Sequence, residues 1–148
     1  MSYTIRFATL DDAAQIVRLI KELASLTHGK STLDEQGVKA FLQTPDHYIV
    51  VAQTAGGSVV GLASFIYRKN LYHNGLVCSV EEMVVNWGHQ NRGVGSALME
   101  KVLEEASQRG CVAISLATEK DNLAAQRFYR RHGFMYEALF MEQHFREE

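Results

Sequence analysis

The sequence predicts an α/β protein with three layers, in which a mixed sheet of six or seven strands is covered by about four helices. Segments rich in β-branched residues alternate along the chain with amphipathic helical segments. Predicted helices connect successive strands in the second half, and such crossovers make the flanking strands parallel. A hairpin pattern in the first half is antiparallel, so the predicted sheet is mixed.

The first half of the chain reads as a strand, two helices and a hairpin. Residues 3–8 alternate polar and apolar side chains, as a half-buried strand does. Thr9 can cap the helix that follows to about Ser25, and Asp11 and Asp12 suit the positive end of its dipole. A second helix over residues 33–42 ends before Pro45, the only proline. The hairpin strands are residues 47–54 and 59–67.

The second half alternates strands and helices. An irregular loop over residues 68–75 leads to a central strand, 76–85, and a helix that ends at Gly110, a typical helix C-cap. A continuous apolar strand is predicted for 111–117, a helix from Asp121 or Asn122 to Arg131, and one or two closing strands for 134–145. No linker or repeat interrupts these elements, so residues 1–148 are expected to form a single domain.

Composition argues against several functional classes. The formal net charge of −2 is unlike the basic stripe of a general nucleic-acid binder, and no apolar run approaches the roughly 20 residues that span a bilayer. The six histidines lack ligand spacing, so no metal site is predicted. Cys78 and Cys111 are expected to be reduced, buried thiols, which favours the cytoplasm.

The most informative stretch combines a strand, a turn and the start of a helix within residues 80–96. Gln90-x-x-Gly93-x-Gly95 opens the helix directly after the central strand. Unpaired N–H groups and the helix dipole make such a terminus a site for anions, and glycine permits close backbone approach. The pattern indicates a pyrophosphate cradle. The alternative is a glycine turn that merely enters a helix.

Two adjacent carboxylates, Glu81 and Glu82, interrupt the central apolar strand. Burying unpaired charge in a sheet is costly, so their presence favours a site over a purely structural role. In a regular strand the two side chains point to opposite faces, and only one would then reach a substrate. A bulge would change this arrangement.

Two sequence blocks resemble the Gcn5-related N-acetyltransferase (GNAT) superfamily. The first is the stretch 81–96, whose Gln90-x-x-Gly93-x-Gly95 resembles the acetyl-CoA signature of that family. The second is Asn122-Leu-Ala-Ala-Gln-Arg-Phe-Tyr129 with the following Arg-Arg-His-Gly-Phe134, at the expected distance. The residues 5–9, 18–24 and the spacing from Glu81 to Tyr129 are similar to the diamine and thialysine acetyltransferase branch.

The resemblance implies roles for individual residues. Backbone groups of Met83 and Val85 would pair with pantetheine, and amides of residues 91–96 would hold pyrophosphate. Arg92 either contacts phosphate or is an exposed loop residue. The implied cofactor-binding set is Met83, Val84, Val85, Gln90, Asn91, Arg92, Gly93, Val94, Gly95, Ser96 and Asn122.

The implied reaction requires a base and an acid. A lysine-like amine has a pKa near ~10.4 and must lose a proton before it attacks a thioester. Registry with polyamine-type members of the superfamily places the base at Glu81, with Glu82 as the second candidate. Tyr129 would protonate the departing thiolate as general acid, although a tyrosine on a helix can also be plain core.

The acceptor is expected to be a small primary amine, acetylated by direct transfer in a ternary complex. The family's acceptor pocket corresponds to residues 26–34, 68–74 and 138–144, whose charges are mixed. A Ser-Leu-Thr-His-Gly-Lys run, 25–30, replaces the glutamate-rich segment of polyamine enzymes. A protein or peptide amine and a non-catalytic acyl-CoA sensor remain alternatives. A homodimer is expected, since the aromatic segment 134–145 can pair across subunits.

Overall fold

A computed structural model describes residues 2–146, so both ends of the predicted domain, residues 1 and 147–148, lie outside the described residues. Strands that are neighbours in sequence are neighbours in space. The sheet contains β1 (Tyr3–Phe7), β2 (His47–Thr54), β3 (Val59–Asn70), β4 (Gly75–Val85) and β5 (Ala113–Ser115). β1 to β4 pair antiparallel, and β5 joins β4 in parallel. The predicted mixed sheet is therefore confirmed.

Helices cover both faces of this sheet. The described residues form α1 (Ala13–Leu26), α2 (Glu35–Gln43), α3 (Val94–Gln108) and α4 (Leu123–Arg131), with single 3-10 turns at Leu10–Asp12 and Trp87–His89. α1 and α2 bury Ile16 and Val38 against one face of the sheet, whereas α3 buries Leu98 and Val102 against the other. Within residues 2–146, none of these helices is long and apolar enough to cross a bilayer.

The predicted number of strands is wrong. Within residues 2–146 the sheet has five strands, not six or seven, because the expected closing strands at 134–145 are absent. Residues 135–146 are all exposed, and the outer edge of β5 pairs with none of them. Aromatic β-propensity is insufficient without a hydrogen-bonding partner. The strand predicted at 111–117 likewise shortens to Ala113–Ser115.

The hairpin before the site is longer than predicted. β3 continues to Asn70 and β4 starts at Gly75, so the expected irregular loop of 68–75 shrinks to a tight turn. Arg68 pairs with Val77 and Lys69 with Leu76, because cross-strand pairing extends a strand past the end of its apolar pattern. This long hairpin carries β4, the strand around which the candidate site is built.

Candidate active site

β4 contains a bulge at the two glutamates. Ser64 of β3 pairs with Glu82, but the next residue, Phe65, pairs with Val80, so Glu81 has no partner in the register. An extra residue on one strand interrupts the strict alternation of side chains. The bulge therefore decides where both carboxylates point.

Both carboxylates lie on the face covered by α1 and α2. Ser79 and Ser64 each stand between residues that pack into the core on the α3 side, so their own side chains point the other way. The Ser79 hydroxyl donates to Glu81 Oε2 at 2.8 Å, and the Ser64 hydroxyl donates to Glu82 Oε1. The two glutamates do not face opposite sides, as they would in a regular strand. The bulge at Glu81 adds one residue to β4 and so interrupts the regular alternation of side chains.

The two glutamates differ in environment. Glu81 is exposed, whereas Glu82 is half-buried and its backbone N–H also donates to Ser64 Oγ at 3.0 Å. Burial raises the pKa of Glu82, the Ser64 hydroxyl partly opposes this rise, and the nearby charge of Glu81 adds to it. A carboxyl with a raised pKa is a stronger base once it has lost its proton. Glu82 thus has the electrostatics of a proton acceptor.

The second half of β4 has a free edge beside the bulge. β5 pairs only with Val77–Ser79, so among the described residues no strand covers that edge from Val80 onward. A groove of about 390 Å³ lies there, between the strand edge and the start of α3. The predicted residues lining it are Met83, Val84, Val85, Gln90, Asn91, Gly93, Val94, Gly95, Ser96 and Tyr129.

Four predicted site residues lie outside this lining: Glu81, Glu82, Arg92 and Asn122. The two glutamates precede Met83 directly, so they stand at the end of the groove. Arg92 is an exposed residue of the glycine loop. Asn122 caps α4, because its Oδ1 accepts the backbone N–H of Ala125 at 3.1 Å. The predicted binding role of Asn122 stays a prediction.

The glycine loop has the backbone conformation that its sequence suggests. Gly93 has φ of +80° and caps the N-terminus of α3, and Asn91 has φ of +63°. A Cβ at Gly93 would meet no atom within 4 Å, so the positive φ and not crowding requires glycine there. The first N–H groups of α3 then open toward the groove, where they can bind an anion.

Tyr129 reaches the groove from α4. It is half-buried, and burial raises the pKa of its hydroxyl, so the group holds its proton at neutral pH. Its ring packs edge-on against Phe128, with centroids 5.4 Å apart, and against Phe134 at 6.0 Å. These contacts fix a protonated phenol beside the free edge of β4.

The groove also includes residues that the sequence reasoning missed, namely His89, Ala125, Phe128 and Arg131. Phe128 lies close to Gly95, where a Cβ would stand 3.5 Å from its ring. Arg131 brings a guanidinium to a lining that contains the start of α3. Its position in the last turn of a predicted amphipathic helix was the available signal. Of the other three, His89 lies within the first family block and Ala125 and Phe128 within the second, and no further sequence pattern pointed to the groove.

Metal and thiol chemistry receive no support from the described side chains. No group of three or more His, Cys, Asp or Glu residues gathers within residues 2–146. Cys78 is buried and Cys111 half-buried, and both are free thiols. Burial raises the pKa of Cys78 to about 12, so it remains a protonated thiol and a poor nucleophile.

Comparison with known proteins identifies the family. A sequence profile described as the acetyltransferase (GNAT) family matches residues 13–134. The chain belongs to this family. Mouse thialysine N-ε-acetyltransferase is 30% identical over 147 residues, an alignment that covers 87% of this chain and 82% of that enzyme.

Two further proteins are similar to this chain in sequence or in structure. The Bacillus subtilis protein YxbD is 30% identical over 83 residues, which cover 56% of this chain and 47% of YxbD, so the match spans about half of its length. The crystal structure of a transcriptional regulator from Bacillus halodurans C-125 superposes with a TM-score of 0.85 at 26% identity, covering 97% of this chain and 100% of that chain. The predicted family, its thialysine-like branch and the enzyme class, N-acetyltransferase, are confirmed.

Proposed function

We propose that this GNAT protein transfers an acetyl group from acetyl-CoA to a small primary amine, by direct transfer in a ternary complex. One observation carries the proposal. A single groove joins the free edge of β4, the N-terminus of α3 and the protonated phenol of Tyr129. The groove thus combines a hydrogen-bonding edge, an anion site and a proton donor, which are the three features a thioester of CoA requires.

The chain's own groups fit the parts of acetyl-CoA. The backbone N–H and C=O groups of Met83 and the N–H of Val85 are available to the pantetheine arm, as an exposed strand edge is to a peptide, whereas Val85 O accepts the side-chain amide of Gln90. The N–H groups of residues 91–96 and the dipole of α3 suit pyrophosphate, with Arg131 as an additional positive charge. Arg92 and Asn122 lie at the margins of this site and contribute less.

We propose Glu82 as the general base, with Glu81 as the neighbour that tunes it. Glu82 is half-buried and held by Ser64, whereas Glu81 is exposed. The ranking drawn from family registry, with Glu81 first, is thereby reversed in the proposal. Both carboxylates share the α1 and α2 face, so the amine would approach from that side.

The proposed reaction proceeds in four steps: deprotonation of the amine, attack on the thioester, loss of the second proton of the nitrogen, and departure of the thiol. Glu82 accepts a proton from the ammonium, directly or through water, and the freed nitrogen attacks the thioester carbonyl carbon. A backbone N–H of β4 stabilises the resulting oxyanion. The attack forms the C–N bond, and the nitrogen then releases its second proton to water. The C–S bond breaks as the carbonyl re-forms, the Tyr129 hydroxyl donates its proton to the departing sulfur, and solvent returns a proton to Tyr129. The proton transfers to Glu82 and from Tyr129 each contribute a factor of roughly 10²–10⁴ to the rate.

A small amine is the acceptor that the surroundings support best. The thialysine enzyme among the relatives is named for a small amino acid. The loop between α1 and α2 lies on the face of the sheet that the carboxylates share, and it carries side chains of both signs, including Lys30 and Asp34. Such mixed charge suits a zwitterionic amine better than a polycation.

The decisive experiment measures release of free CoA from acetyl-CoA with a panel of small amines, amino acids and peptides. Turnover with a small amine, with kinetics in which both substrates must bind first, is expected. Binding of acetyl-CoA without turnover on any acceptor would favour the sensor alternative. Turnover restricted to peptides would replace the acceptor class while retaining the enzyme.

We further propose that the protein is a cytoplasmic homodimer. The free thiols of Cys78 and Cys111 support a reducing compartment. Large apolar side chains of residues 135–146 are exposed, among them Tyr136 at 91% and Phe145 at 94%. None of the residues of α4 is buried, and the outer edge of β5 has no strand partner within residues 2–146. Within the described residues, each copy therefore carries a β5 edge without a strand partner and an exposed apolar segment.

Reciprocal pairing of segment 135–146 with the β5 edge of a second copy would satisfy both features with two-fold symmetry. Three aromatic side chains bury about 150–250 Å² each. Two copies would thus bury on the order of 1,000 Å² through aromatics alone, close to the roughly 1,200–2,000 Å² of a stable interface. Nucleic acid and membrane are not among the proposed partners.

Light scattering after size exclusion tests the dimer. The wild-type mass is expected at twice the chain mass of 16.6 kDa. Phe140→Glu should give a monomer, because it places charge in the exchanged segment. Leu26→Glu, at a similarly exposed apolar residue on α1, should leave the dimer intact. A wild-type monomer, or a dimer that survives Phe140→Glu, would contradict the proposed pairing of segment 135–146 with the β5 edge of a second copy.

A further inference from the structure

A carboxylate on α1 holds the turn that leads into the glycine loop. Glu22 Oε1 accepts the side-chain amide of Asn86 at 3.1 Å, and Oε2 accepts the backbone N–H of Trp87 at 3.1 Å. Glu22 is half-buried and lies in the C-terminal third of α1, far from the turn in sequence. Both oxygens of one side chain are therefore committed to residues directly after β4.

The hydrogen bonds continue from this contact toward the groove. Asn86 Oδ1 accepts the backbone N–H of Gly88 at 3.2 Å, and the backbone N–H of Asn86 donates to Val60 O at 2.7 Å. Gln90 then donates its side-chain amide to Val85 O at 3.3 Å. The turn is thus bonded to α1 and β3 immediately before the residues that line the groove.

Resting on the proposed function, we propose that Glu22 is a positioning residue for CoA: it holds the turn at 86–88 and thereby the orientation of the loop 90–96. An anion cradle built from backbone N–H groups binds well only when those groups already point at the anion. The carboxylate of Glu22 is hydrogen-bonded to Asn86 and Trp87, which do not line the groove, so it acts on the groove through them. No other common side chain reproduces the bridge, because glutamine offers one acceptor oxygen and aspartate is a methylene shorter.

The chain supplies its own probe for this proposal. Trp87 is the only tryptophan, and its side chain is 78% exposed, so its fluorescence reports on the turn that Glu22 holds. The experiment compares wild type, Glu22→Ala and Glu22→Gln. Glu104→Gln, at an exposed position on α3 remote from the turn, is the matched control. Steady-state anisotropy of Trp87 is measured without ligand, and CoA affinity by titration calorimetry.

Loss of both hydrogen bonds in Glu22→Ala should lower the Trp87 anisotropy and weaken CoA binding about tenfold. Glu22→Gln should weaken it about threefold, and Glu104→Gln should change neither quantity. The KM for acetyl-CoA should rise with the dissociation constant while kcat stays within about twofold, because the reacting groups are elsewhere. If Glu22 only stabilised the fold, Glu22→Ala would lower the melting temperature without raising the KM for acetyl-CoA selectively over kcat.

Unchanged CoA affinity in Glu22→Ala would overturn the proposal, whatever the anisotropy does. Should Glu22→Ala not fold, Glu22→Gln decides by the same two measurements, and wild-type values for both would overturn it. Failure of the proposed function is recognised separately in the wild-type protein, which would then either bind no CoA or bind acetyl-CoA without turnover on any acceptor. The anisotropy of Trp87 would in that case still report whether Glu22 holds the turn.

Discussion

The two halves of β4 differ in what covers their edges. In the first half, Val77–Ser79 is hydrogen-bonded to β3 on one side and to β5 on the other, and Val77 and Cys78 are buried. From the bulge at Glu81 to Val85, the described strand is paired with β3 alone. One continuous strand therefore contains a half that is core and a half that borders a groove.

The difference shows how a sheet can supply a binding site without adding any element. A strand paired on both sides has no backbone group left for a ligand, whereas a free edge keeps a row of N–H and C=O groups. In a soluble domain such an edge is a liability unless something covers it. Here the groove, the loop 90–96 and Tyr129 surround the free edge, which favours a ligand as the covering partner.

The largest expected effect is a loss of kcat when Glu82 is replaced, and it distinguishes Glu82 from Glu81 in the second half of β4. Glu82→Gln should lower kcat about a thousandfold at neutral pH, because the amide cannot accept the proton of the amine. Glu81→Gln should lower it less than about tenfold, since Glu81 is exposed and only raises the pKa of its neighbour. Initial rates of CoA release with a saturating amine provide the measurement. Equal losses in both variants would assign the base to the pair and not to Glu82.

The pH dependence of kcat/KM tests the same assignment of Glu82 as the base. A base works when deprotonated, so kcat/KM should rise with pH, with an inflection above the ordinary glutamate pKa of about 4.3. Glu82→Gln should abolish that inflection. Because the folded-state pKa is raised, the contribution of Glu82 to stability is lost as pH rises through it. The glutamine variant should therefore melt no lower than wild type at neutral pH, which controls for folding.

A smaller loss of kcat is expected when Tyr129, the proposed general acid, is replaced. Tyr129→Phe should lower kcat about a hundredfold, since the thiolate must then leave without a proton, while CoA affinity changes little. Phenylalanine keeps the ring contacts with Phe128 and Phe134, so the fold should be unaffected. Turnover at saturating substrates is measured for both proteins. Unchanged turnover would remove Tyr129 from the mechanism and leave it a packing residue.

The smallest effect on function is expected in the first half of β4. Val77→Ala removes two buried methyl groups and should lower the free energy of unfolding by about 2 kcal/mol. Urea unfolding measures this change. CoA affinity and kcat should match wild type at temperatures where the variant is folded. A tenfold loss of CoA affinity in that variant would show that the two halves are coupled and not separate.

Much of the fold and of the groove followed from local sequence patterns. The helices, the hairpin, the parallel pair and the glycine loop appear close to their predicted places, because each depends on periodicity or backbone preference within a few residues. Gly93 is an example, since its positive φ is a property of the turn itself. Tyr129 was located through its family block, and its predicted acid role remains to be tested.

Other features required contacts between separate elements of the fold. Asp12 was predicted from its place at a helix start, and its Oδ2 does accept the N–H of Thr9. Its buried carboxylate also forms a bidentate ion pair with Arg6 of β1, at 2.8 and 2.9 Å, which lowers the pKa of Asp12. Glu22 lies in the stretch 18–24 that resembles the thialysine branch, but no pattern indicated its contacts, because its hydrogen bonds cross to Asn86 and Trp87.

The sequence by itself determined the family, the order of the elements as far as α4 and most residues of the groove, because these depend on short patterns. Only the tertiary structure decided which face the two glutamates share, where the free edge of β4 begins and that residues 134–145 form no strand. The reason is physical: a bulge, an edge and a closing strand are each defined by hydrogen bonds to another strand. A segment read alone contains its own periodicity but not the register of its partner.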